Sequence, residues 1–293
     1  MMASSCFGRW VVGVLAGSSL CLGPALTADA KAHSGSHYPA LRSASFYVLD
    51  ESSASVVLSR QSDVPMPIAS ITKLMTALVV LEADQPLDEE IEITAEDRDT
   101  RGGESRLAVG TRLSRGDLMH LALMSSENRA AHALCRRYPG GLPACVHAMN
   151  LKARQLEMFN TRFVEPTGLS SENVASSEDL AKLVMAAAKS PTIQRYSTDR
   201  SYAVVVRRHA VEFRNTDSLV ANPTWNIVVQ KTGYIAEAGR CLVMNAIVEG
   251  RSVVIVLLDS AGKLSRIADA KRIRRWLEER LAHEALDAAF GKV

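Results

Sequence analysis

The stretch that decides the fold is Pro67-Ile68-Ala69-Ser70-Ile71-Thr72-Lys73-Leu74-Met75-Thr76-Ala77. From Ile71 to Val79 the apolar side chains recur at helical spacing, which predicts a buried helix with Ser70 at its start. Residues three apart in a helix lie on one face, with Cβ atoms about 5 to 6 Å apart. The Ser70 hydroxyl and the Lys73 amine can therefore meet at the beginning of this helix.

The patterns on both sides of this helix predict an α+β protein. The predicted elements, in chain order, are strands at 45–49 and 55–58, helices at 115–137, 144–156 and 177–189, strands at 227–230, 241–248 and 253–258, and a helix at 267–286. Strands, a helical block, further strands and a last helix are typical of an antiparallel sheet with helices packed against it.

The last predicted helix has two different faces. Ile273, Trp276, Leu277 and Leu281 lie on one face, and arginine and glutamate residues occupy the other. A basic amphipathic helix can lie on a membrane surface, but a terminal helix packed on a sheet is the more common use. The sequence therefore favours packing on the sheet, with at most peripheral contact with a membrane.

The composition is that of a globular protein able to bury a full core. Of 293 residues, 47% are apolar and 23% are charged, which excludes a disordered or fibrous chain. Lys and Arg number 34 against 32 Asp and Glu, so the net charge of +2 gives no strong attraction toward nucleic acid. We expect no nucleic-acid partner.

The N-terminus carries the pattern of an export signal. Arg9 precedes an apolar stretch at 10–22, and small residues follow up to Ala30. A membrane anchor is the alternative, but the stretch is shorter than the roughly 20 apolar residues that span a bilayer. We therefore predict a signal peptide at 1–30 that is cleaved near Ala30, a flexible leader at 31–42, and a folded domain at 43–293.

Three cysteines remain after such a cleavage, in an oxidising compartment. Cys135 and Cys145 flank the turn-rich sequence 138–141, which can fold the chain back and bring the two sulfurs together, and Cys241 lies far along the chain. A Cys135–Cys145 disulfide is one interpretation, and two unpaired thiols are the other.

Ser70-Ile71-Thr72-Lys73 is an S-x-x-K motif with nucleophilic potential. Serine needs a base, and lysine can serve if burial and nearby cations lower its pKa. A second S-x-x-K, at 260–263, follows a strand in a glycine-containing loop that would not hold serine and lysine on one face. The structural alternative for Ser70 is a helix N-cap.

Two further motifs could complete such a site. Ser126-Glu127-Asn128 offers a hydroxyl and an amide, but Ser171-Glu172-Asn173 offers the same pair, and spacing alone does not choose between them. Lys231-Thr232-Gly233 occurs once, at the predicted end of the 227–230 strand. There Lys231 would supply a second cation, Thr232 a hydroxyl for a substrate carboxylate, and Gly233 room for close backbone approach.

The three motifs in this order resemble the active-site signature of the serine penicillin-binding proteins and related β-lactamases. The sequences around them, at 67–77, 124–131 and 163–169, resemble the low-molecular-weight DD-peptidases, and the resemblance runs from about residue 43 to 276. It implies a β-lactamase/DD-peptidase-like fold: a five-stranded antiparallel sheet flanked by helices, plus a helical subdomain at about 65–190. It also favours Ser126 over Ser171 as the second motif.

The resemblance also implies a role for each residue. Ser70 would be acylated by a D-alanyl carbonyl with Lys73 as base, and Ser126 would relay a proton to the leaving amine. The implied substrate-binding residues are Asn128, Lys231, Thr232 and Gly233, and the implied oxyanion hole is formed by the backbone N–H groups of Ser70 and Tyr234. β-Lactams would acylate the same serine. No metal or organic cofactor is implied.

Finer features of the resemblance separate members of this family. Glu165 is not followed four residues later by the asparagine of a class A β-lactamase, because Leu169 stands there. A C-terminal β-domain and membrane helix, usual in the membrane-bound carboxypeptidases, are not expected. Ser-Glu-Asn and Arg240-Cys241-Leu242-Val243-Met244 resemble the periplasmic D-alanyl-D-alanine endopeptidases, which cut D-alanyl–diaminopimelate cross-links in peptidoglycan stems.

Two alternatives to an endopeptidase remain at this stage. A DD-carboxypeptidase of the same fold would remove terminal D-alanine, and a noncatalytic wall-binding module would keep only the fold.

Asp217 stands where relatives often carry asparagine, and its carboxylate would either alter substrate preference or face solvent.

Overall fold

The computed structural model describes residues 38–98 and 105–291. The predicted signal peptide and residues 31–37 of the predicted leader lie outside them. No helix within the described residues is long and apolar enough to cross a membrane.

The described chain contains eleven strands and seven helices. The strands are β1 Ser43–Asp50, β2 Ser55–Arg60, β3 Met66–Pro67, β4 Glu90–Glu92, β5 Arg112–Ser114, β6 Val174–Ala175, β7 Ser201–Val206, β8 His209–Arg214, β9 Asn226–Ile235, β10 Gly239–Val248 and β11 Arg251–Ser260. The helices are α1 Thr72–Glu82, α2 Arg115–Met124, α3 Asn128–Arg136, α4 Gly141–Gln155, α5 Ser177–Ala187, α6 Pro191–Thr198 and α7 Ser265–Phe290.

Five strands form the main sheet, in the order β2-β1-β11-β10-β9 with antiparallel pairing throughout. Alternation along β11 separates its two faces. Val254, Val256 and Leu258 join the core shared with helices α1 to α5, whereas Ile255 and Leu257 join a second core beneath α7. The predicted α+β class with a five-stranded antiparallel sheet is confirmed.

Helix α1 lies at the centre of the helical region. Every residue from Thr72 to Val80 is buried, so this helix has no solvent face through most of its length. A short 3-10 turn at Ala69–Ile71 leads into it. The interpretation of Ser70 as an N-cap is wrong, since the cap position of α1 is Ile71 and no side chain caps the helix.

The prediction of one continuous helix at 115–137 is wrong. Helix α2 ends at Met124 and α3 begins at Asn128, with Ser126 between them at a φ of 63°, which no right-handed helix accommodates. The Glu127 carboxylate caps α3 by accepting a hydrogen bond from the Arg129 N–H at 3.3 Å. The break therefore places the second motif in a partly buried turn between two helices.

The strand predicted at 227–230 is longer than expected. Strand β9 runs to Ile235 and pairs with β10 up to the Ile235–Gly239 partners, so Lys231, Thr232 and Gly233 lie inside the strand, not at its end. Because β9 is the edge strand of the sheet, polar residues there can pair with β10 on one side and face a site on the other. The patterns also did not predict the β7–β8 hairpin or helix α6.

The start of the described chain contacts the first half of α7. Tyr38 stacks against Trp276 with ring centroids 6.2 Å apart, and the Arg42 N–H donates to the Asp269 carboxylate at 2.9 Å. Tyr38 and Arg42, from the predicted leader, thus contact α7. As predicted, α7 packs on the sheet, with Ile273 buried in the core beneath it.

A disulfide joins α3 to α4. Cys135 and Cys145 are both fully buried, with Cα atoms 5.4 Å apart. The turn at 138–141 brings them together, as the first interpretation of the cysteines required. Cys241 is a buried free thiol.

Candidate active site

Ser70 and Lys73 meet where the 3-10 turn becomes α1. The Lys73 Nζ donates to the Ser70 Oγ at 2.9 Å, to the Asn128 Oδ1 at 2.7 Å and to the Thr167 main-chain oxygen at 2.5 Å. Three acceptors fix the amine of a side chain that is completely buried. The serine oxygen therefore has a lysine nitrogen held against it by α3 and by the 163–169 loop.

Burial lowers the pKa of the Lys73 amine from 10.5 to about 8, and the Glu165 and Glu127 carboxylates partly oppose this lowering. An ammonium group loses solvation when it is buried, which favours the neutral form. A pKa near 8 leaves a useful fraction of Lys73 able to accept a proton at neutral pH.

Lys231 lies on the other side of the turn formed by Ser126-Glu127-Asn128, which we call the S-x-N turn. Its Nζ donates to the Ser126 Oγ at 3.0 Å and to the Thr232 main-chain oxygen at 2.9 Å. The Thr232 hydroxyl in turn lies 2.6 Å from the Thr216 hydroxyl. Lys73, the Ser126 turn and Lys231 thus form one continuous set of polar contacts beside Ser70.

The surroundings of Lys231 are rich in charge. Burial, followed by the Lys73 and Arg266 charges, holds the pKa of Lys231 well below 10.5, and the Asp217 carboxylate opposes this. Arg266, at the start of α7, donates from Nη1 to the Gly233 main-chain oxygen at 3.2 Å. Sequence reasoning missed Arg266, because nothing near it in the chain marks it as part of the site.

Asp217 does not face solvent, which excludes one of its two predicted roles. Its side chain is 1% exposed, and its Oδ1 accepts the Leu219 N–H at 2.9 Å. Burial raises the pKa of this carboxyl, while the Leu219 N–H, Arg266 and Lys231 oppose the rise. The buried Asp217 carboxylate thus interacts with the charges of Lys231 and Arg266.

Gly233 lets strand β9 lie against the Ser70 turn. A Cβ atom at this position would stand 2.8 Å from the Ile68 main-chain oxygen and 3.2 Å from the Ser70 nitrogen. Such contacts are closer than side-chain atoms tolerate, so only glycine allows this approach. The predicted role of Gly233 in close backbone approach fits this geometry, although the close neighbour is the Ser70 turn.

The 163–169 loop is built around one carboxylate. Glu165 accepts hydrogen bonds from the N–H groups of Thr167 and Gly168, each at 2.6 Å, and from the Asn173 amide at 2.9 Å. Asn173 also bonds Thr72 in α1 at 3.1 Å and is completely buried. Asn173 of the Ser171-Glu172-Asn173 motif therefore shapes the loop that holds Lys73. Its side-chain amide is occupied by these hydrogen bonds and is not available to bind substrate.

The second S-x-x-K does not form a site. The Ser260 hydroxyl is buried against the Ser43 hydroxyl at 2.5 Å, while Lys263 is exposed to solvent. Among residues 38–98 and 105–291, no group of three or more His, Cys, Asp or Glu side chains is arranged to hold a metal ion.

Comparison with known proteins agrees with this arrangement. The family model described as D-alanyl-D-alanine carboxypeptidase, peptidase family S11, matches residues 32–262. The chain belongs to this family. It is thus a serine-type D-Ala-D-Ala peptidase, and the resemblance predicted from the three motifs is confirmed.

Members of the S11 family from several bacteria are similar to this chain over most of its length. The D-alanyl-D-alanine endopeptidase of Pseudomonas aeruginosa is 49% identical over 241 residues, which cover 81% of this chain and 78% of that protein. The enzyme of the same name from Escherichia coli is 43% identical over 258 residues, covering 87% of this chain and 83% of that protein.

Solved structures of this fold superpose well. The Streptomyces K15 DD-transpeptidase aligns with a TM-score of 0.76 at 25% identity, covering 82% of this chain and 98% of that one. The D-alanyl-D-alanine carboxypeptidase of Mycobacterium tuberculosis aligns with a TM-score of 0.75 at 25% identity, covering 83% and 94%. The DD-peptidase-like fold is thereby shown.

Proposed function

We propose that this chain is a serine DD-endopeptidase that hydrolyses D-alanyl–diaminopimelate cross-links of peptidoglycan through an acyl-enzyme on Ser70. The observation that carries the proposal is the 2.9 Å contact between the Ser70 Oγ and the buried Lys73 Nζ. The two endopeptidases that are 43% and 49% identical support this substrate over terminal D-alanine.

In the acylation step, neutral Lys73 accepts the proton of the Ser70 hydroxyl while the oxygen attacks the D-alanyl carbonyl carbon. The carbon–nitrogen bond then breaks, and the proton passes through the Ser126 hydroxyl to the leaving amine of diaminopimelate. The Lys231 ammonium, 3.0 Å from the Ser126 Oγ, orients that hydroxyl for the transfer.

The oxygen that becomes negative in this step needs preorganised donors. We assign them to the backbone N–H groups of Ser70 and Tyr234. The edge position of β9 and the close approach of Gly233 to the Ser70 turn support this assignment. Removing one such donor costs about a hundred- to a thousandfold in rate.

The substrate is held on two sides. Asn128 accepts from Lys73 through its Oδ1, which leaves its amide N–H groups to donate to a substrate carbonyl. The Thr232 hydroxyl binds the carboxylate of the leaving residue, in the positive field of Lys231 and Arg266. Water then attacks the acyl-enzyme carbonyl, the carbon–Oγ bond breaks, and the proton returns to Ser70.

The first test is mass spectrometry after incubation with a fluorescent penicillin, because a β-lactam leaves a stable acyl group on the same serine. We expect a covalent adduct on the unmutated protein and none on Ser70→Ala. Ser260→Ala, which alters the serine of the other S-x-x-K, is the matched control and should keep the adduct. An adduct that survives in Ser70→Ala would overturn the assignment.

The second test separates the endopeptidase from the carboxypeptidase. Purified protein is incubated with cross-linked stem-peptide dimers and, separately, with monomeric pentapeptides that end in D-alanyl-D-alanine. Conversion of dimers to monomers supports the endopeptidase. Release of terminal D-alanine without dimer cleavage would identify a carboxypeptidase, and no acylation by penicillin in the first test would leave a noncatalytic wall-binding module.

The substrate lies outside the cytoplasm, so we propose export to the periplasm with cleavage near Ala30. The basic and apolar pattern at 1–30 supports this location. N-terminal sequencing of protein from a periplasmic extract should begin near Lys31. A chain that retains its first thirty residues and sediments with membranes would instead be anchored.

A further inference from the structure

A polar cavity of about 490 Å³ adjoins the S-x-N turn. The residues that line it are Arg106, Ser125, Glu127, Glu212, Phe213 and Arg214. Ser125 directly precedes Ser126, and the chain leaving β8 is tied to the same turn by the Thr216 N–H, which donates to the Met124 main-chain oxygen at 3.1 Å. The cavity therefore shares a wall with the proposed catalytic centre.

Two arginines in this cavity are fixed only in part. The Arg106 guanidinium lies 4.0 Å above the Phe213 ring and donates from Nη1 to the Glu212 main-chain oxygen at 2.6 Å. Arg214 reaches the Glu212 carboxylate at 3.3 Å, in a pair whose side chains are 81% and 52% exposed. Each guanidinium carries five N–H donors, and the contacts made with residues 38–98 and 105–291 leave some of them for a ligand carboxylate.

The carboxylates balance these cations. Glu127 is 9% exposed, and its Oε1 is occupied by the Ser105 hydroxyl at 2.6 Å and the Arg129 N–H at 3.3 Å. Glu212 is open to solvent beside Arg214. Two positive and two negative side chains therefore surround one space, which matches a ligand carrying both charges better than a ligand carrying one.

The proposed substrate contains one such group. In a cross-linked pair of stems, the diaminopimelate that supplies the scissile amine has lost its free ammonium to the cross-link. The diaminopimelate that precedes the scissile D-alanine keeps an ammonium and a carboxylate on one carbon at the end of its side chain. Only the acyl-donor stem thus presents a free zwitterion near the Ser70 side of the scissile bond.

We propose that this cavity is a specificity subsite that binds the zwitterionic end of the donor diaminopimelate. Arg106 and Arg214 would bind its carboxylate, and Glu212 would bind its ammonium. The inference rests on the proposed function, because it takes the substrate class from it. A second cavity of mixed charge, lined by Glu92 and Arg112 among others, touches none of the catalytic residues and serves as the control site.

The test uses three cross-linked peptides in which D-alanine is joined to the side-chain amine of meso-diaminopimelate, and they differ in the residue before that D-alanine. That residue is meso-diaminopimelate linked through its L-centre, lysine, which lacks the carboxylate, or norleucine, which lacks both charges. For the unmutated protein we expect kcat/KM to fall in that order, by about tenfold or more between the first and the last. Equal values for all three would overturn the subsite.

Variants then assign the charges. Arg214→Gln should lower kcat/KM about tenfold for the diaminopimelate peptide alone, whereas Glu212→Gln should lower it for the diaminopimelate and lysine peptides and spare norleucine. Arg112→Gln, from the exposed Arg112–Glu92 pair, should change none of the three. A loss that is equal across the three peptides would mean a general defect and would overturn the assignment.

Acylation by benzylpenicillin keeps this inference separate from the proposed function. The antibiotic lacks the diaminopimelate side chain and reports on Ser70 alone. If the unmutated protein is acylated but does not prefer the diaminopimelate peptide, only the subsite is wrong. If it is not acylated, the proposed function fails first.

Discussion

The Lys73 Nζ lies 2.5 Å from the main-chain oxygen of Thr167, which is 94 residues further along the chain. The Thr167 N–H and hydroxyl both donate to the Glu165 carboxylate at 2.6 Å. The position of the proposed base thus depends on a loop, and the loop depends on one carboxylate.

Glu165→Gln tests this dependence. The amide keeps one acceptor oxygen, so several of the bonds that close the loop are lost, and we expect a loss of about 1 to 3 kcal/mol in the free energy of unfolding. The Glu165 carboxylate also raises the pKa of Lys73, so the midpoint of the pH profile of acylation should move down. Urea unfolding and penicillin acylation across pH measure the two effects.

Glu172→Gln is the matched control, because Glu172 is in the same segment with a side chain that is 67% exposed. Glu172→Gln should change neither the free energy of unfolding nor the pH midpoint of acylation. A different result, in which Glu165→Gln prolonged the life of the penicilloyl-enzyme without changing stability, would make Glu165 a base for deacylation and contradict its role in positioning.

Gly168→Ala should damage the same loop. Gly168 has a φ of 82°, and a Cβ atom there would stand against the main chain of Ala69, beside Ser70. The backbone has no room to give, so we expect a loss of about 3 kcal/mol or more in the free energy of unfolding and a large loss of acylation.

Gly250→Ala separates steric contact from backbone strain. Gly250, in the β10–β11 turn, has a φ of 77°, and no atom of the described residues would lie within 4 Å of an added Cβ atom. At Gly250, backbone strain alone should lower the free energy of unfolding by about 1 kcal/mol. Equal unfolding midpoints for the two variants would show that the contact with Ala69 does not matter.

The periodic parts of the fold were predictable, and the break in the 115–137 segment was not. Residues 118–124 and 130–135 both have helical patterns, and Glu127 and Asn128 are compatible with a helix. The left-handed Ser126 is held by contacts from elsewhere, above all the hydrogen bond from Lys231, 105 residues later. Local periodicity cannot report a turn that a distant strand stabilises.

Some residues of the site could likewise be predicted from the sequence, and others could not. Ser70 and Lys73 were predictable because residues three apart at the start of a helix lie on one face. The choice of Ser126 over Ser171 required the family resemblance. Thr167 and Arg266 could not be found, because a main-chain oxygen has no sequence signature and Arg266 reaches Gly233 only after α7 packs on the sheet.

The Cys135–Cys145 disulfide should stabilise the helical region. It closes a short loop between α3 and α4, so its reduction should cost about 2 to 3 kcal/mol in the free energy of unfolding. Thiol labelling of denatured, unreduced mature protein should modify Cys241 alone. Three labelled cysteines, or a urea midpoint that reductant does not change, would contradict the bridge.

The pH dependence of acylation should report the Lys73 amine. Its pKa is about 8 because burial disfavours the charged form, and only the neutral form accepts the Ser70 proton. Acylation should therefore become faster as the pH rises. The second-order rate constant for benzylpenicillin should increase about tenfold from pH 7 to pH 9 and then level off. Stopped-flow acylation at constant ionic strength measures it, with unfolding midpoints at each pH as the control for intact protein. A rate that stays level or falls across this range would mean that Lys73 acts in its charged form and that another group takes the serine proton.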